Sequence, residues 1–411
     1  MSYKKVLIIS CFFPPYGGGG IQRAVKFVKF LPRFGWMPLV LTINRLDLME
    51  TQDETLLRDI PSKAKIFRTK TLQIRPTNKY LRLLFSAISI PDPSIWWLPY
   101  AISVAKKIWR NEKYHAIYAT GGPFSNLVIG LLLSKIQHLP LIIDLRDPWV
   151  LDPAYKKYKW ILHYWIQYWL YIICLKNAGK IIVATEGMKE QIDSQFNKQY
   201  KVSVITNGFD NDDFRNLPKF SKKKNIFTIC HIGTFSGTRK PDEFLEAMQQ
   251  IKKHSPRIYN RIRVYFIGQT PEIVHDAQKR IGITDNIYIK KYVPHIKALG
   301  YMKMADCLLL IVNNIPENFA IDTGKVFEYI AFKKRVLAIS NRQSGAAKIL
   351  HSTKLGVITG SYKPEIIKRS IIRLYREWID CKPIIYNKQQ IEKYHRIAGA
   401  NKLASILDNI H

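Results

Sequence analysis

Short runs of consecutive apolar residues recur along the chain. Between them lie longer stretches in which apolar residues return every three or four positions. The runs at 6–10, 37–43, 66–67, 115–119, 139–144, 181–184 and 202–205 are short, rich in Val, Ile and Leu, and bounded by turn residues, so they read as buried strands. Helical spacing fills the gaps. Ile21, Val25, Val28 and Leu31 share one face with Arg23, Lys26 and Lys29 between them, and an apolar helix runs from Ser125 to about 136. The segment 47–58 is polar and is also expected to be helical. Strands that alternate with helices across short glycine-containing turns predict an α/β fold with parallel, doubly wound sheets.

The alternation breaks at Asn207-Gly208-Phe209-Asp210, and a polar stretch follows through Lys222-Lys223-Lys224. It then restarts, with strands expected at 226–231, 262–267, 287–289, 307–312 and 336–339 and a closing helix over 398–410. Two Rossmann-like domains are therefore expected, at 1–206 and 207–385, with 386–411 a helical segment packing back on the first. In such sheets ligands bind beyond the carboxyl ends of the strands, and two sheets facing each other would leave a cleft between domains.

Charge changes the picture. Lys and Arg number 64 against 31 Asp and Glu, a net charge of +33, which calls for an anionic partner. Two segments join basic to aromatic residues. Residues 80–110 hold Leu83-Leu84-Phe85 and Trp96-Trp97 before Lys106, Lys107 and Arg110. Residues 155–180 hold Trp160, Tyr164, Trp165, Tyr168, Trp169 and Tyr171 among lysines, with no acidic residue between Asp152 and Glu186. Trp and Tyr favour the headgroup region of a bilayer, and Lys is drawn to anionic lipid. The apolar run 160–175 is shorter than the roughly 20 residues a span requires, so it reads as lying on a membrane surface, or as an aromatic helix of a domain core. A single-stranded nucleic acid partner is not expected, because these aromatics sit in long apolar runs with few polar neighbours. The opening leads straight into a strand with no signal peptide, and the five scattered cysteines have no C-x-x-C pair. Both features suit an intracellular protein with reduced thiols.

Candidate chemistry gathers at turns between strand and helix. Pro14-Pro15-Tyr16-Gly17-Gly18-Gly19-Gly20 joins the first strand to the first helix, where free backbone N–H groups favour anions. It is no dinucleotide fingerprint, because Gln22 and Arg23 stand where the third glycine belongs. A second turn, His231-Ile232-Gly233-Thr234-Phe235, leads through Arg239 and Lys240 into a helix, and small residues with two cations suit a phosphate. A third, Asp322-Thr323-Gly324-Lys325, opens a helix that places Lys325 and Glu328 on one face. The lysine can hold a diphosphate and the carboxylate can bridge a ribose diol, although an exposed ion pair would give the same spacing. Asp210-Asn211-Asp212 has the D-x-D pattern of metal-dependent transferases. Its place after Asn207-Gly208 instead predicts a cap on the helix at Phe214, and no metal is expected.

Taken in order, Phe13-Pro14-Pro15 with the glycine loop and Arg23, Leu31-Pro32-Arg33-Phe34-Gly35-Trp36, Asp144-Leu145-Arg146-Asp147-Pro148-Trp149, Asn207-Gly208-Phe209-Asp210 and Lys325-Val326-Phe327-Glu328-Tyr329 resemble the GT-B glycosyltransferases of family 4 over nearly the whole length. The resemblance implies retaining transfer of a sugar from a nucleotide diphosphate sugar, without metal or other cofactor. It implies a donor held mainly by the second domain and a glycan or polyprenyl-linked acceptor held by the first. The basic, aromatic face suggests a membrane-bound acceptor, with the protein in the cytoplasm of a bacterial cell, peripheral on the inner face of the membrane, in surface polysaccharide synthesis. Carried onto this chain, Gly19 and Gly20 would face the donor phosphates. Gly233, Thr234, Arg239, Lys240, Thr323, Gly324 and Lys325 would surround the diphosphate, Glu328 would take the ribose, and Arg146 and Asp147 would lie toward the acceptor. Two positions depart from the family pattern. The partner glutamate of E-x7-E is replaced by Ala320, which leaves Glu317 as the nearby carboxylate for the sugar ring, and Thr234 stands where relatives carry arginine. The other readings of a two-Rossmann chain are a sugar-nucleotide 2-epimerase and a membrane- or nucleic-acid-binding module without activity.

Overall fold

The computed structural model describes residues 3–17, 19–44, 52–72, 78–151, 161–235, 239–314 and 324–410. The chain divides into two compact units, 1–207 together with 396–411, and 208–395.

In the first unit the strands are β1 (Lys4–Ile9), β2 (Trp36–Ile43), β3 (Lys65–Thr69), β4 (Ala116–Thr120), β5 (Leu141–Leu145), β6 (Lys180–Val183) and β7 (Val202–Val204). They form one parallel sheet in the order β3-β2-β1-β4-β5-β6-β7. The helices are α1 (Gly19–Phe30), α2 (Lys79–Ile88), α3 (Leu98–Glu112), α4 (Ser125–Gln137), α5 (Ile161–Asn177) and α6 (Glu186–Gln195). β1, β4 and β5 are buried at nearly every position, as strands covered by helices on both faces must be. The polar segment expected to be helical is a tight helical turn, Glu54–Asp59, capped by the Asp53 side chain; residues 47–51 of that expectation lie outside the described residues.

The second unit repeats the plan with β8 (Phe227–Ile232), β9 (Ile262–Ile267), β10 (Ile287–Lys290), β11 (Cys307–Ile311), β12 (Arg335–Ile339) and β13 (Gly356–Ile358), in the order β10-β9-β8-β11-β12-β13. Its helices are α7 (Asp242–His254), α8 (Pro271–Ile281), α9 (His295–Met304), α10 (Lys325–Ala331), α11 (Gly345–Ser352), α12 (Pro364–Ile379) and α13 (Lys388–Glu392). Alternate residues of one strand enter different cores. Cys307, Leu309 and Ile311 of β11 pack with α7 and α12, while Leu308 and Leu310 pack with α9, α10 and α11. The last helix, α14 (Arg396–Asp408), returns to the first unit against α1, and Trp36 Nε1 donates to Asp408 Oδ1 at 3.0 Å.

All five cysteines are free and four are buried. No helix among the described residues is long and apolar enough to cross a membrane.

Candidate functional site

Each sheet has a point where the chain's direction of travel reverses, between β1 and β4 in the first unit and between β8 and β11 in the second. Loops leaving such neighbours diverge to opposite faces and open a crevice at their carboxyl ends. Predicted site residues among the described ones lie near these two points.

In the first unit the crevice is braced from below. Arg23, on the buried face of α1, donates from Nε to Asp144 Oδ2 at 2.7 Å and from Nη2 to Oδ1 at 2.9 Å, a two-pronged pair with both side chains out of water. Its Nη1 reaches the Thr206 carbonyl at 3.2 Å. The Tyr118 hydroxyl also donates to Asp144; burial, reinforced by that carboxylate, pushes the phenol well above its ordinary value, so the proton stays on the tyrosine.

Arg146 sits above this pair. Its guanidinium donates to the carbonyls of Gly121 (2.6 Å from Nε), Gly20 and Gly122, so one planar fork ties the start of α1 to the turn after β4. Burial lowers its pKa and the neighbouring Asp147 opposes that shift. Glycine at these positions leaves room for the fork, and at Gly122 the backbone conformation itself favours it. A Cβ on Gly20 would fall 2.5 Å from Nη1, and one on Gly122 would fall 2.5 Å from Nη2, at a φ of +80°. Asp147 lies beside the fork and is exposed. Gly19 is the first residue of α1.

In the second unit the loop after β8 starts at Gly233 with φ +155°, and the Thr270 hydroxyl ties it down by accepting from Phe235 N at 2.9 Å. A Cβ on Gly268 would land on the Gly233 carbonyl oxygen, so the neighbouring strand end must also be glycine. Thr234 reaches Gln269. Arg239 is half-buried, and its Nε has no hydrogen-bond partner among the described residues. Lys240 is exposed.

α10 is held over the same point by Tyr329, whose hydroxyl accepts from Ile232 N at 3.0 Å and donates to the Leu309 carbonyl at 3.3 Å. One buried phenol thereby links the end of β8 to the middle of β11. Helical spacing then brings up Glu328, whose carboxylate is buried. His295 Nε2 meets Oε1 at 2.8 Å, and Lys325 Nζ lies 3.7 Å from Oε2. Burial by itself pulls the His295 pKa down, but the charge and hydrogen bond of Glu328 outweigh it, so the imidazole titrates above its usual value. His231, at the end of β8, behaves oppositely. Burial lowers it to about 4, its Nδ1 faces the Leu309 carbonyl at 3.0 Å, and Arg239 and Lys325 both press it toward neutrality. The donor-binding candidates Gly233, Thr234, Arg239, Lys325 and Glu328 thus share one region, with Gly324 exposed at the head of α10. Glu317 and Thr323 lie outside the described residues.

Sequence reasoning did not single out His295, His231, Tyr329 or the Arg23–Asp144 pair as site residues. The local cue was position: His295 starts a helix, His231 and Asp144 lie next to a strand end, Arg23 is in the first turns of α1, and Tyr329 follows Glu328 in its short helix. The D-x-D segment caps a turn as expected: Asp210 Oδ1 accepts from Asp212 N at 3.0 Å and starts the helical turn Asn211–Phe214.

The family described as Glycosyltransferase Family 4 matches residues 66–213, and the family Glycosyl transferases group 1 matches 212–391, so the two cover the chain continuously from 66 to 391. The protein is a GT-B glycosyltransferase of the family 4 type. Solved structures share the fold of this glycosyltransferase at low identity. Sucrose-phosphate synthase from Thermosynechococcus elongatus is 14% identical with a TM-score of 0.68, covering 98% of both chains. WaaG, a glycosyltransferase involved in lipopolysaccharide biosynthesis, is 11% identical with a TM-score of 0.57, covering 98% of this chain and 96% of its own. An E. coli trehalose-6-phosphate structure bound with UDP-2-fluoro glucose is 12% identical with a TM-score of 0.59, covering 99% of this chain and 100% of its own. No curated protein matches the glycosyltransferase in sequence.

Proposed function

We propose that this glycosyltransferase moves a hexosyl group from a nucleoside diphosphate sugar, with retention of configuration and without a metal, onto a glycan or polyprenyl-linked acceptor of a bacterial surface polysaccharide. It would work at the inner face of the cell membrane. The observation that carries this reading is the buried Glu328 carboxylate, braced by His295 and set beside Lys325 at the reversal point of the second sheet. A carboxylate held there is suited to accept from a ribose diol, with Arg239, Lys240 and Lys325 at hand for a diphosphate. The UDP-sugar analogue bound by the E. coli neighbour supports a nucleotide sugar as donor, and WaaG's involvement in lipopolysaccharide biosynthesis supports a surface polysaccharide as destination.

The chemistry follows from where charge grows. As the bond between the anomeric carbon and the phosphate oxygen breaks, negative charge builds on the leaving diphosphate, and the three cations stabilise it without rearranging. The acceptor hydroxyl attacks from the face that the diphosphate leaves, and its proton passes to a departing phosphate oxygen. Retention results. Glu317 is assigned to the sugar ring and Asp147 to the acceptor, with Arg146 holding the glycine turns beside Asp147.

The test is to incubate the protein with a panel of nucleotide sugars and acceptor-containing membrane extract. Nucleoside diphosphate release is measured together with the anomeric configuration of the product by NMR. One donor class should release diphosphate and give a product of retained configuration. An inverted product, or no release from any donor, would overturn the reading.

A further inference from the structure

α2 is an unusual element for a folded domain, because none of its ten residues is buried. Tyr80, Leu81, Leu83, Leu84 and Ile88 are all exposed, Tyr80 by 79%. The helix is nevertheless anchored: Asn78 caps its start, Phe85 stacks on Trp96 at 5.8 Å, and Trp96 Nε1 donates to Ser89 Oγ at its end. It is thus an apolar surface held out into solvent by a fixed stem.

α5 presents a second such surface. One face is core, with Gln167 Nε2 donating to the Pro91 carbonyl at 3.0 Å and Tyr171 packed edge-on against Trp149. The other face carries Ile161, Leu162, Trp165, Ile166, Trp169 and Ile173, and Trp169 is 60% exposed. These recur at helical spacing and form one stripe on a helix about 25 Å long. The Gln167–Pro91 bond ties the core face of α5 to the segment that follows α2, three residues past the end of that helix. α4 packs on α5 and adds exposed Leu132 and Ile136.

Charge decides the occupant. Lys79 and Arg82 on α2, Lys135 on α4 and Lys176 on α5 are exposed, and none of the three helices carries an acidic residue. A second copy would bring the same basic face on a chain of net charge +33, and the two would repel. An anionic bilayer supplies both requirements: acyl chains for the Leu, Ile and Trp side chains, and phosphate headgroups for the cations that rim them.

We infer that α2 and the outward stripe of α5, with the adjoining end of α4, form a docking surface that lies in the headgroup region of an anionic lipid bilayer. The inference rests on the proposed function only for why a membrane is present, since it names the surface that brings the enzyme to a lipid-linked acceptor. It needs nothing of the donor chemistry.

The test is flotation of the full chain with vesicles of phosphatidylcholine, with and without phosphatidylglycerol, at low salt. Wild-type protein should float with the phosphatidylglycerol vesicles and stay behind with pure phosphatidylcholine. The exposed-site variant W165S/W169S should lose about tenfold in vesicle partitioning, the apolar share of an interfacial helix. It should keep its thermal unfolding midpoint and its nucleotide affinity, because neither residue supports the core or the donor region. R82E, on the other helix, should weaken flotation and leave the fold unchanged. Wild-type protein that does not float, variants that float equally, or a wild-type dimer that W165S/W169S dissolves would each overturn the inference. Nucleotide binding is a separate readout, so its loss would count against the donor reading and not against this surface.

Discussion

Arg23 and Asp144 are the most buried charges among the described residues of the first unit, and their cost to the fold depends on their staying paired. Removing one partner leaves the other charge in a site without water. Asp144→Ala is expected to destabilise this unit by about 3–5 kcal/mol, read from its urea transition, whereas the double variant Arg23→Met/Asp144→Leu should lose much less because no orphan charge remains. His295 gives a residue-scale test in the second unit. Its folded pKa is raised by Glu328, with Lys325 opposing and Asp213 assisting. The stability it adds is therefore fully present below the unfolded value of about 6.5 while Glu328 is ionised, and is lost as pH rises through the folded value. The difference in unfolding free energy between wild type and His295→Asn should shrink with rising pH, and a constant difference would mean the pair carries no ionic component. The Lys325–Glu328 spacing was legible in the sequence because helical periodicity is local. His295 was not, because it meets Glu328 across 33 residues and only the packing of α9 on α10 brings them together. Arg146 shows the same limit. The resemblance placed it toward the acceptor, but nothing local in the sequence showed that its guanidinium bonds three backbone carbonyls.

At the scale of elements, α10 depends on Tyr329 for its seat. Tyr329→Phe leaves Ile232 N–H buried without an acceptor, at a cost of about 1–3 kcal/mol. Since α10 carries Glu328 and Lys325, turnover should fall along with stability, and a variant as active and stable as wild type would remove Tyr329 from the account. Most strands were legible as runs of Val, Ile and Leu, because a strand covered on both faces needs little else. β13 was not, since its three residues follow Leu355 and begin with glycine, too short a run to show a period. The aromatic helix was read two ways, as a membrane surface or as core. α5 has both faces: His163, Gln167, Tyr171 and Cys174 point inward while Trp165 and Trp169 point out.

For the whole molecule, two sheets built to one strand order bring the same residue types, glycine, cation and carboxylate, to the carboxyl end of each unit's central strands. The order was legible only as a class, since alternation predicts parallel sheets without saying which strands are neighbours. The central claim is that the second unit reads a nucleoside diphosphate through Glu328 on the ribose. Titration calorimetry in a two-by-two design tests it, with wild type and Glu328→Ala each measured against the nucleoside diphosphate that binds best and against its 2′,3′-dideoxy form. The account predicts that removing either the carboxylate or the diol weakens binding by about tenfold or more, and that removing both costs little beyond either alone. Penalties that simply add, or a Glu328→Ala protein that binds like wild type, would contradict it.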